Sequence, residues 1–214
     1  MDCSLRAPGA NLSGCDLTGM NLAGIDLTGA DLRNANLANA DVSGTILANT
    51  QLGGLRSGGV VGVPSSLPVH WFVLRGYLLG PYANASGAIL RNATMTGKTL
   101  TSIDLSNAQL TNLTLSGVDL SGATLTGAVV DGATFTTVSL AHANLEQSSF
   151  MGATYTGVTA TDVQAMGVNY AGATFTTTDF SRSHFAGANI YGATLTTVSL
   201  SMRSCRTQIL GAPC

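Results

Sequence analysis

The chain has 214 residues, of which 9% are charged and 45% hydrophobic, and its formal net charge is −2. So little charge excludes a basic surface for nucleic acid and a strong acidic field for a basic partner. It also leaves salt bridges a small part in stability, since Lys98 is the one lysine and Glu146 the one glutamate. The apolar content argues against disorder.

Residues 1–9 read as an N-terminal cap. From residue 10 the sequence runs ANLSG CDLTG MNLAG IDLTG ADLRN ANLAN ADVSG, with a large apolar residue at every fifth position from Leu12 to Leu52. A small or apolar residue lies two before each, Asn or Asp usually one before, and Gly or Asn usually two after. Residues 10–52 form a first repeat block. Residues 53–82 break the frame and contain the only tryptophan, Trp71, with Pro64, Pro68 and Pro81 at entry and exit. Apolar alternation on both sides of Arg75-Gly76 predicts a hairpin, Val69–Leu74 with Tyr77–Leu79. Trp71, Phe72 and Tyr77 are expected to pack at the joint between blocks. The frame resumes at Ala85 and runs to Leu200, so residues 83–200 form a second block. Residues 201–214 read as a C-terminal cap.

A period of five fits neither a helix nor a flat strand. It fits a chain that turns a corner every five residues, with two residues of each unit pointing inward. The A-(D/N)-L-x-x pattern resembles the pentapeptide-repeat family. The resemblance implies an all-β fold, a right-handed quadrilateral β-helix with twenty residues per coil, here two coil blocks joined by a β-hairpin-like insertion. Coils would stack at about 4.8 Å.

Written out at twenty residues, the second block gives inward columns such as Leu90, Leu110, Val130, Phe150, Tyr170, Ile190 and Met95, Leu115, Phe135, Tyr155, Phe175, Leu195. The small Ala160 and Ala165 fall in the same coil as the large Phe150 and Tyr155, as close packing requires. Lys98 takes an inward place usually held by Ala or Val, where a buried ammonium needs a partner or a way out to water.

Four cysteines lie near the ends: Cys3, Cys15, Cys205 and Cys214. Their number and placement point to one local disulfide at each end in an oxidising compartment, with four free thiols as the alternative. No signal-like or bilayer-length apolar run occurs in the sequence. The expectation is a secreted protein in mature form, without membrane insertion.

The outward pairs flanking the second column are Thr94/Thr96, Thr114/Ser116, Thr134/Thr136, Thr154/Thr156, Thr174/Thr176 and Thr194/Thr196. They take 11 of the 22 threonines of residues 85–200. Thr137, Thr177 and Thr197 extend the same face. This ladder resembles the ice-binding face of β-solenoid antifreeze proteins. That resemblance implies a non-enzymatic protein that binds ice or ordered water and needs no cofactor. Two plainer readings stand beside it. Threonine is a good outward strand residue, and the face could join a second copy in an extracellular scaffold that associates laterally or end to end.

Twenty-residue spacing also stacks His142, Asp162 and Arg182, with His184 and Glu146 around the same corner. Such a file could hold a metal or move protons, but is more often an exposed charge ladder. No catalytic residue and no metal site are assigned. Some pentapeptide-repeat proteins resemble DNA in size and charge and bind DNA gyrase. A net charge of −2 does not supply the negative surface that role needs, and it is the least favoured reading.

Overall fold

A computed structural model describes residues 3–4 and 6–201. The corner is the element from which everything else follows. At Leu12–Cys15 the chain reverses: the Cys15 N–H donates to the Leu12 carbonyl at 3.0 Å, and Gly14 takes a φ of +69°. That left-handed value belongs to the third residue of a type II turn. Asn34 and Asn39 make the same corner at +58°, which asparagine tolerates better than most residues. The Asp or Asn of the motif caps the corner from outside. The Thr28 N–H and hydroxyl both donate to Asp26 Oδ1, at 2.9 and 2.6 Å.

Four such corners return the chain to its start one coil higher. The Leu12 N–H then donates to Asp31 O, and the Asp31 N–H to Ala10 O, at 2.8 and 2.9 Å. These bonds form a parallel ladder, so each coil satisfies the backbone of the one before it.

The chain divides into two compact units, residues 1–85 and 86–214. In the first, parallel bridges run from Asn11↔Asp31 to Ile46↔Ser66. Inward positions continue beyond Leu52 with buried Leu55 and Val60. Thr45 and Thr50 also turn inward, their hydroxyls donating to the carbonyls of Leu22 and Leu47 at 2.8 and 2.7 Å. A later rung pairs Arg56 with Asn84, so the coil that carries the insertion is longer than the rest.

The insertion is an antiparallel hairpin, β1 (Phe72–Leu74) with β2 (Tyr77–Leu79), paired Phe72↔Leu79. Arg75 and Gly76 have φ of +50° and +75°, the sign pattern of a type I′ turn. The first strand starts at Phe72 and not at the expected Val69. The cause is a turn on Pro68, closed by the Trp71 N–H at 3.1 Å and carrying His70 at φ +70°. Trp71 and Val73 pack on the core of the first unit. Ser57 Oγ accepts the Leu78 N–H at 2.9 Å, and the Val60 N–H donates to Gly76 O at 3.0 Å. Gly80 lies against the indole of Trp71, in space that a Cβ would fill.

The second unit holds a six-stranded parallel sheet: β3 (Thr94–Thr96), β4 (Thr114–Ser116), β5 (Thr134–Thr136), β6 (Thr154–Thr156), β7 (Thr174–Thr176) and β8 (Thr194–Thr196). Each strand pairs with the residues twenty positions on. The fold is a quadrilateral β-solenoid with its core along the coil axis. Tyr155 stacks between Phe135 and Phe175 with centroids 4.7 Å away on either side, close to the separation of neighbouring strands. Tyr170 meets Phe175 edge-on at 5.2 Å. The small Ala160 and Ala165 are buried in the coil of Phe150 and Tyr155. Polar residues take inward places too: buried Ser183 donates to Ala160 O at 2.9 Å. Lys98 is half-buried and bonded.

The Tyr155 and Tyr170 hydroxyls are buried without a well-formed hydrogen bond. Desolvation pushes both phenols above their ordinary range. Tyr155→Phe is therefore expected to raise stability by about 1–2 kcal/mol in urea denaturation, because it removes an unsatisfied buried group. A group whose pKa is raised on folding stabilises below its unfolded value and loses that contribution as pH rises. The unfolding midpoint should accordingly fall above about pH 10, and less steeply in Tyr155→Phe.

Candidate functional site: the threonine face

In each coil of the second unit three corners are tight turns, most of them closed by a backbone bond, as at Leu120–Ala123, Leu125–Ala128 and Leu110–Leu113 at 3.0, 2.9 and 3.0 Å; at Ala160–Val163 the Val163 N–H donates to Ser183 Oγ instead. The fourth is different. At Leu115–Val118, Phe135–Val138 and Tyr155–Val158 the chain bends with no closing bond. Freed from that bond, the backbone stays extended for three residues. This is why one face alone carries a continuous sheet.

Its outward residues are the two files expected from the sequence: Thr94, Thr114, Thr134, Thr154, Thr174, Thr194 and Thr96, Ser116, Thr136, Thr156, Thr176, Thr196. They stand in register along six rungs. Eight are exposed; Ser116, Thr136, Thr174 and Thr176 are half-buried. Neighbouring rungs repeat at about 4.8 Å, and the two threonines of one rung lie two residues apart, roughly 6.5 Å. Among the described residues none of the twelve hydroxyls has a protein hydrogen-bond partner. Outward hydroxyls on other faces do, as in Ser121 Oγ–Ser139 Oγ at 2.7 Å and Ser149 Oγ–Asp131 Oδ1 at 2.6 Å. Neither file contains a charged residue. The column directly behind them holds the Phe135–Tyr155–Phe175 stack, whose first pair of rings is 5° from parallel.

The second candidate group is brought together in part. Arg182 grips Asp162 through Nε at 3.0 Å and Nη2 at 2.5 Å, and His142 Nδ1 lies 4.0 Å from the same carboxylate. Arg182 and His142 are exposed, so solvent screens the pair and it adds little to stability. His184 has a buried Nδ1 without a partner. Among the described residues no cluster of three or more His, Cys, Asp or Glu is placed to hold a metal.

One feature escaped the sequence reading. An apolar recess opens among Tyr170, Phe175, Phe180, Phe185, Ile190 and Leu195. Leu195 and Leu200, in the last described coil, are exposed beside it. Among the described residues its lining is apolar apart from the buried Tyr170 hydroxyl.

Cys3 and Cys15 form a disulfide with an S–S distance of 2.10 Å. Cys205 and Cys214 lie outside the described residues. No helix among the described residues is long and apolar enough to cross a membrane.

The coil geometry, the five-residue corners and the inward columns define a repeat solenoid of the quadrilateral type. The family of Pentapeptide repeats matches in eight copies over residues 10–49, 103–140 and 166–201, and the chain belongs to it. Among solved structures it is similar to HetL, a pentapeptide repeat protein involved in heterocyst differentiation regulation from Nostoc sp. strain PCC 7120. The identity is 22% over 94% of this chain and 92% of that one, with a TM-score of 0.33. A pentapeptide repeat protein of the Arabidopsis thaliana thylakoid lumen is 26% identical over 45% of this chain and 64% of its own, with a TM-score of 0.29. QnrB1, a plasmid-mediated fluoroquinolone resistance protein, is 19% identical over 90% and 92%, with a TM-score of 0.24. No curated protein matches.

The caps of the corners titrate. The Thr or Ser hydroxyl two residues on, and then its N–H, hold the carboxyls of Asp16, Asp26, Asp41 and Asp179 below the ordinary range. The Arg33 guanidinium does the same for Asp31. A carboxyl lowered on folding stabilises above its unfolded value and loses that contribution as pH falls through the folded one. The urea midpoint should be flat from about pH 5 to 8 and decline below about pH 4. A midpoint that rises in acid would contradict these caps.

Proposed function

We propose that the threonine face binds ice, through the layer of ordered water at its surface, and that the protein acts without catalysis. The observation that supports this reading is the set of six in-register rungs, five Thr-x-Thr and one Thr-x-Ser, whose hydroxyls have no protein partner among the described residues. Threonine is stiff at χ1, so the methyls and hydroxyls form a fixed array before any ligand arrives, and little entropy is lost on contact. The methyls leave adjacent water few alternatives to bonding with itself, while the hydroxyls anchor it. An ion in the files would hold its own hydration shell, and there is none. Secretion is part of the proposal: the Cys3–Cys15 disulfide suits an oxidising compartment. A role on DNA gyrase is the weaker reading, since a net charge of −2 supplies little of the charge of a duplex.

The same face supports a second reading, lateral pairing with another copy, because it is an uncharged sheet surface of considerable extent. The two separate cleanly. Ice binding predicts thermal hysteresis and inhibited recrystallisation from a species that sediments as a monomer across concentration. Thr154→Tyr, in the middle of the array, should keep the circular dichroism spectrum and lose hysteresis by roughly tenfold or more, the effect of about 1.4 kcal/mol of lost adsorption. A wild-type protein without effect on ice growth contradicts the reading. If that protein also forms dimers that Thr154→Tyr abolishes, the face is an assembly surface.

A further inference from the structure

We infer that Thr137, Thr177 and Thr197 form a third file of the same binding face, kept there against a backbone preference. This rests on the reading of the face as ice-binding. The three residues follow directly on Thr136, Thr176 and Thr196, and all are exposed. They occupy the left-handed corner position, with φ of +53°, +53° and +55°.

Seventeen described residues other than glycine have a positive φ, and these three are the only β-branched ones among them. A β-branched side chain is an outlier in that region. Elsewhere the position is commonly held by Gly or Asn, which accept it. All three exceptions lie on the one face whose outward strand residues are threonine except for Ser116. The remaining rungs of the same file have Gly97, Gly117 and Gly157, at +59°, +60° and +62°.

Local structure does not account for the exceptions. Among the described residues none of the three hydroxyls has a hydrogen-bond partner. The backbone bond at the position is the same with either residue: the Thr137 N–H donates to Thr156 O at 2.8 Å, and the Gly157 N–H to Thr176 O at 3.0 Å. Space does not decide it either. A Cβ on Gly97 meets nothing within 4 Å, and one on Gly157 meets only Thr137 Oγ1 at 3.8 Å. Threonine is therefore sterically admissible along the whole file, conformationally unfavourable in all of it, and present at half of it. An outlier of this kind is characteristic of a functional surface. Its gain here is a wider array, three hydroxyl–methyl pairs per rung in place of two.

The test compares wild type, Thr137→Gly/Thr177→Gly and Gly157→Thr for thermal hysteresis and for the midpoint of thermal unfolding. Ser102→Gly serves as control, since it relieves a left-handed residue (φ +54°) away from the face. The double glycine variant should unfold at a higher temperature and lose hysteresis. Gly157→Thr should do the reverse in both. Ser102→Gly should gain stability and keep wild-type activity. A more stable double variant with full hysteresis would overturn the third file while leaving the two-file face intact. A less stable double variant would overturn it also, by giving the threonines a structural reason to be there. A wild type without hysteresis removes the ice-binding reading, and this inference with it.

Discussion

A left-handed backbone at every fifth residue is the constraint on which this protein depends. Without it the corner does not close, the coil does not return over itself, and no backbone ladder forms. The composition follows from that demand. Gly and Asn sit at the corners because they accept positive φ. Asp or Asn often precedes the inward leucine because its side chain takes up the N–H groups that the corner exposes, as Asp26 does for Thr28. A small residue lies two before, because the interior of a square coil has room for one large and one small side chain per side. With the backbone satisfied coil by coil, the protein needs few charges.

The threonine face arises from a local relaxation of the same rule. Where the closing bond of the corner is missing, the chain runs straight for three residues and single bridges widen into strands. The inward residue of that strand is then fixed between its equivalents above and below. In the middle of the second unit those equivalents are Phe135, Tyr155 and Phe175, stacked at the strand separation. The aromatic stack and the threonine files are two sides of one sheet, so the regularity of the surface is underwritten by packing behind it.

Much of this could be read from the sequence, because a period of five with four units per coil converts sequence spacing directly into neighbours in space. The inward columns, the compensation of Phe150 and Tyr155 by Ala160 and Ala165, and the two threonine files all follow from counting by twenty. So does the proximity of Asp162 and Arg182. What counting could not supply depends on backbone detail. The open corner differs from the closed ones by a hydrogen bond, which the five-residue spacing does not reveal. The strain at Thr137, Thr177 and Thr197 requires a φ angle. Pro68 was noted as punctuation, but the turn it makes with Trp71 decides where the hairpin begins. Counting by five puts Thr45, Thr50 and Ser183 at the small inward place; what it does not show is that their hydroxyls are satisfied there by carbonyls of the coil.

The central claim is that one face of the solenoid recognises a particular surface of ice. The most direct measurement is to grow a single-crystal ice hemisphere in a dilute solution of the fluorescently labelled protein and image the crystal. The account predicts fluorescence confined to defined lattice planes for wild type, and a dark hemisphere for a variant with a bulky residue at the centre of the threonine array. A hemisphere that excludes the wild-type protein as completely as that variant would contradict it.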